Sequence, residues 1–139
     1  MRGVTSSDVR SGDSAGVVSF RSAYSFDDTV RRLLAAFADH GIKVFATIDQ
    51  QAAALAVGLS MPPTTLILFG NPKAGTPLML ANPQSGVDLP LKALVVESQG
   101  SVDVIVNSAA YIIQRHALPP ELITNLAPVE RLIAGVLGP

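Results

Sequence analysis

The sequence predicts an α+β domain, a mainly antiparallel sheet with helices on one face. Three stretches of its 139 residues carry that reading. Phe26, Val30, Leu33, Leu34 and Phe37 fall at i, i+4, i+7, i+8 and i+11, which is one apolar face of a helix. Thr64-Thr65-Leu66-Ile67-Leu68-Phe69 is a continuous run of strand length, expected to be a central strand buried on both faces. Residues 93–97 and 102–106 are strand-like and flank Gln99-Gly100, a tight hairpin turn.

The remaining elements follow in chain order. Val17, Val18 and Phe20 mark a first strand over residues 16–23. Ser25 opens the first helix, and Asp28 follows it by three, as in a capping box. Asp27–Arg31 and Asp28–Arg32 are i,i+4 pairs, and His40-Gly41 supplies the stop. Ile42, Val44, Ala46 and Ile48 alternate through a second strand. Asp49 can cap a short helix over residues 50–57, which Gly58 closes. After the run at 64–69, Gly70-Asn71-Pro72 starts a short helix that Asn82-Pro83 stops. Asn107 or Ser108 caps a late helix, and Pro128 divides the last helical region at Ala127. The order is β-α-β-(short α)-β-(short α)-β-β-α. Residues 1–14 read as a mobile tail, 15–118 as the core domain, and 119–139 as a helical extension packing on it.

Composition excludes several function classes. No cysteine is present, so disulfides, thiolate chemistry and Cys-based metal sites are out. That fits a reducing, cytoplasmic setting. The net charge of -1 offers no basic stripe for nucleic acid. No apolar run reaches the ~20 residues of a membrane helix, and the first residues carry no apolar signal-peptide core. Two histidines without ligand-spaced partners argue against a metal, and nothing calls for a cofactor. Charged residues make up 15% of the chain, below the ~25% typical of such domains. Some apolar surface is therefore expected to meet a partner, which favours a homodimer.

Phe69-Gly70-Asn71-Pro72-Lys73-Ala74-Gly75 and Asp88-Leu89-Pro90-Leu91-Lys92 resemble the domain of unknown function 302 family. Gly41-Ile42-Lys43-Val44-Phe45-Ala46-Thr47-Ile48-Asp49 and Arg115-His116 support the resemblance, which spans residues 16–118. It implies a β-α-β-β-β-β-α fold like half of a TATA-binding-protein-like unit, and a tendency to dimerise. It implies no activity. Relatives carry a His after the second-strand Asp, where Gln50 stands here. Their late Asn-Asp-Pro is Asn107-Ser108-Ala109.

Three constellations are candidate sites. Gly70, Asn71, Lys73 and Gly75 form a strand-to-helix turn whose N–H groups and lysine suit a small anion or carboxylate. A tight, capped turn explains the same residues without a ligand. Asp88 and Lys92, with Asp49, are candidates for a polar pocket or for acid–base chemistry, or they form a structural ion pair. Arg115-His116, with Tyr111 one turn earlier, suits a carboxylate or simply ends a helix. The favoured expectation is a small-ligand binding or sensing domain acting as a homodimer. An enzyme using Asp49, Lys73, Asp88 and Lys92 for acid–base chemistry and a ligand-free structural dimer are the alternatives.

Overall fold

The computed structural model describes residues 13–139. The expected tail lies outside these residues except for Asp13 and Ser14, and Asp13 accepts a hydrogen bond from Ser19 Oγ at 2.8 Å. The chain runs β1 (Val17–Ser22), α1 (Phe26–Asp39), β2 (Lys43–Asp49), α2 (Gln50–Ala56), β3 (Thr64–Gly70) and α3 (Pro72–Ala81). It continues through β4 (Leu91–Ser98), β5 (Ser101–Asn107), α4 (Ala109–Arg115) and α5 (Ala127–Val136). Tight 3₁₀ turns occupy Pro83–Asp88 and Pro120–Asn125. This is the predicted order of elements.

The sheet is ordered β1-β5-β4-β3-β2, and every neighbouring pair is antiparallel. One face carries Val18, Ile67, Phe69, Ala93, Val95, Val102, Val104 and Val106 into the core. There they meet Leu33 and Phe37 of α1, Ile133 of α5, and Leu137. Phe37 and Phe69 stack with centroids 4.2 Å apart, fastening α1 to β3.

One expectation needs correction. β3 lies inside the sheet, paired with β4 on one edge and β2 on the other. It is not buried on both faces: Ile67 and Phe69 are buried, whereas Leu66 and Leu68 are half-buried. The helices cover one face only. On the other, Ile48 lies beside Leu66, Leu66 beside Leu94, and Leu94 beside Ile105. An apolar run thus stands half in the core and half on an open aliphatic face.

Local signals explain most boundaries. Ser25 Oγ accepts from Asp28 N at 3.2 Å, Asp49 Oδ1 from Ala52 N at 2.9 Å, and Ser108 Oγ from Tyr111 N at 3.0 Å. Each such cap is worth about 1 kcal/mol. On α1, Asp28 takes both Arg31 and Arg32, so Arg31 pairs with Asp28 rather than with Asp27. Gln99 and Gly100 have φ of 53° and 81°, the two positive values that a type I′ hairpin turn requires. Pro128 sits in the first turn of α5, where its missing N–H costs nothing. Gly16 has φ of +77°, and a side chain there would lie 2.4 Å from Tyr111 Cγ. The Tyr111 ring occupies that space and holds α4 against the start of β1.

Candidate functional site

β3 delivers the buried Phe69 to Gly70 and Asn71, and α3 begins at Pro72. At this junction lies a cavity of about 280 Å³. Ile42 and Phe45 wall it from the β2 side, and Phe69, Gly70 and Asn71 from β3 and its exit. Gly75, Thr76 and Met79 of α3, Leu89, Pro90 and Leu91 before and at β4, and Asn125, Leu126 and Val129 near α5 complete it. The β2 register shifts between Val44 and Ala46, so Phe45 leaves the regular alternation. Its ring is 45% exposed and reaches towards Gly70, which has no side chain to block it. Lys43 Nζ stands 4.9 Å from the centre of that ring.

The start of α3 has few N–H groups to offer a ligand. Pro72 has none. Lys73 N donates to Asn71 Oδ1 at 2.9 Å. Ala74 N and Gly75 N donate to Asn71 O at 2.8 and 2.9 Å. Asn71 therefore satisfies the donors that would have cradled an anion. Lys73 is exposed and is not part of the cavity wall. Asn125 Nδ2 donates to Ala74 O at 3.0 Å, tying the 3₁₀ turn before α5 to α3.

Asp88 is buried and engaged elsewhere. Its carboxylate accepts from Arg115 Nη1 at 3.0 and 3.1 Å and from His116 Nε2 at 2.6 Å. Asn82 Nδ2 donates to His116 O at 2.9 Å. The carboxylate that Arg115 and His116 bind belongs to this chain. The cluster clamps the Pro83–Asp88 turn to the end of α4 and so fixes Leu89 and Pro90, the next residues, in the cavity wall.

The remaining candidates lie apart. Lys92 stands opposite Leu68, on the open face of the sheet. Asp49 stands opposite Thr65, about 10 Å further along β3. It caps α2 and borders a separate depression with Asp27 and Glu97. Asp49, Lys73, Asp88 and Lys92 do not converge as acid–base chemistry would need. Among the described residues no group of His, Asp or Glu is arranged to hold a metal.

Gly70, Asn71 and Gly75 are the sequence-predicted residues that line the cavity. Sequence reasoning did not single out Phe45, Met79, Leu89, Asn125, Leu126 or Val129 as site residues. These residues come from distant parts of the chain, and no local motif marks their meeting.

The family model for the domain of unknown function DUF302 matches residues 18–137, which includes α5. The fluoride-specific ion channel FluC 1 of Brucella suis biovar 1 (strain 1330) is 42% identical over 105 residues, 75% of this chain and 41% of that relative. The fluoride-specific ion channel FluC 1 of Brucella abortus biovar 1 (strain 9-941) is also 42% identical over 105 residues, with 39% of its length covered. The chain thus spans about two-fifths of the curated relatives it matches. The crystal structure of an uncharacterized conserved DUF302 protein from Bacillus stearothermophilus superposes with a TM-score of 0.75 at 18% identity. That match covers 89% of this chain and 97% of the other, and it shows a shared fold.

The Asp88 cluster generates a stability prediction. Asp88→Ala leaves the buried His116 N–H without an acceptor and should cost about 1–3 kcal/mol. Arg115→Gln removes a half-exposed cation and should cost about 0–1 kcal/mol. Urea denaturation of both variants measures the difference, and equal losses would contradict a buried Asp88–His116 bond as the dominant part.

Proposed function

The chain belongs to the family of the domain of unknown function DUF302, and from that premise we propose that it is a small-ligand binding or sensing domain acting as a homodimer. The observation that carries the reading is the 280 Å³ cavity where Gly70 and Asn71 join β3 to α3. Ligand sites are concave, mostly apolar and few per domain, with a small number of polar groups for orientation. This cavity has that make-up. The separation of Asp49, Lys73, Asp88 and Lys92 speaks against the acid–base enzyme.

The open sheet face supports the dimer. Ile48, Leu66, Leu68, Leu94, Val96 and Ile105 form aliphatic rows on the side away from the helices. A second copy laid on this face would remove those rows from water at about 25 cal/mol per Å² of apolar surface. The absence of cysteine fits a cytoplasmic setting.

A second reading draws on the relatives named as fluoride channels. A helical membrane span needs about 20 apolar residues. The longest helix among the described residues is α1 with 14, and no described helix is long and apolar enough to cross a membrane. The segment shared with those relatives is then an appendage to the conducting part. On this reading the present domain serves a membrane ion channel as a regulatory partner.

Three measurements test these readings. Protein purified without stripping should yield a crystal structure with density touching Phe45 and Leu126, whereas a cavity closed by its own side chains would defeat the ligand reading. Sedimentation should give wild-type protein twice the 14.5 kDa chain mass, and Leu68→Glu should give one chain mass. A wild-type monomer at micromolar concentration would remove the homodimer. Deleting the matching 105 residues from the Brucella suis relative should leave fluoride flux into vesicles measurable. Complete loss of flux in a correctly inserted, folded chain would sink the appendage reading.

A further inference from the structure

Resting on the small-ligand reading, the geometry points to an uncharged ligand with an apolar body about the size of two fused rings and a single hydroxyl group. This departs from the anion or carboxylate that the turn sequence suggests.

Size gives the first argument. A cavity of about 150 Å³ lined by aliphatic and aromatic side chains holds benzene. The present cavity of about 280 Å³ has space for nearly two such rings. Its body is formed by Phe45, Phe69, Met79, Leu89, Leu126 and Val129.

Charge gives the second. No ionisable side chain belongs to the wall. Lys73 is exposed and does not line the cavity, and Lys43 stands over the Phe45 ring without lining it. Arg115 is engaged by Asp88. The Lys73, Ala74 and Gly75 N–H groups at the start of α3 all donate to Asn71. An anion seated here would give up its hydration without gaining a compensating cation or donor set.

Two amides give the third. Asn71 uses Oδ1 to cap Lys73, and Asn125 uses Nδ2 to bind Ala74 O. Asn71 Nδ2 and Asn125 Oδ1 have no partner among the described residues. Both residues line the cavity, one able to donate and the other to accept. A hydroxyl can answer either of these groups, whereas a carboxylate can answer only the donor.

The test uses the whole chain and two probes with the same carbon body, 2-naphthol and 2-naphthoate, titrated by calorimetry near neutral pH. There the first is neutral and the second is charged. The expected result is that 2-naphthol binds at least about tenfold more tightly than 2-naphthoate. Gly75→Leu is expected to weaken 2-naphthol at least about tenfold while the circular dichroism spectrum is unchanged. A Cβ at Gly75 meets only Leu89 Cδ1, at 3.9 Å, so the first carbon of a side chain fits. Thr76→Trp, on an exposed part of the same wall, is the second blocking variant and should act alike. Equal or tighter binding of 2-naphthoate, still blocked by either variant, would overturn the neutral ligand and leave the small-ligand site standing. Binding of neither probe, or binding indifferent to both variants, would overturn the cavity as a ligand site.

Discussion

The stack of Phe37 on Phe69 is the contact on which the rest of the arrangement hangs. It joins the amphipathic face of α1 to β3 at the last core residue before the chain leaves the sheet. Phe69 is 1% exposed and also forms part of the cavity wall. A single ring is thus both core and site. The consequence is geometric: Gly70, Asn71 and the start of α3 are placed by a residue that cannot move without opening the core. Close-packed interiors transmit such constraints over one or two residues with little slack.

Beyond that contact, the polar groups around the cavity mostly serve the chain itself. Asn71 answers the donors of α3, Asn125 answers Ala74, and Asp88 answers Arg115 and His116. The Asn125 and Asp88 bonds connect segments far apart in sequence. Asp88 to His116 closes a loop of 28 residues, and Asn125 to Ala74 one of 51. Buried polar groups without partners are costly, so the buried Asp88 and His116 are held where they are by need. What remains for a ligand is a space floored by hydrocarbon, with one amide donor of Asn71 and one amide acceptor of Asn125 left over.

Much of the fold was legible because its signals are local. Gln99-Gly100 announces its turn through the positive φ that both positions must adopt, and Ser25, Asp49 and Asn71 announce helix starts through their side-chain oxygens. The depth of β3 was misread for a physical reason. A continuous apolar run says that both faces avoid water but not what covers them, and here the helices cover one. The site was half legible. Gly70, Asn71 and Gly75 stand out in sequence, and the absence of an N–H on Pro72 together with a capping Asn already hints that few donors are left over. Phe45, Leu89 and Val129 carry no such hint, because only the sheet register and the path of the C-terminal segment bring them together.

The irregularity in β2 reaches further than the cavity it helps to shape. β2 lies at one margin of the sheet, where unpaired backbone groups are a template for another chain. A bulge between Val44 and Ala46 breaks the even spacing that such a template needs, and the exposed Lys43 adds charge beside it. The same irregularity that turns Phe45 towards the cavity therefore guards this margin against strand-by-strand growth into aggregates. In a chain with so few charges, one irregularly placed phenylalanine helps to keep that margin from pairing.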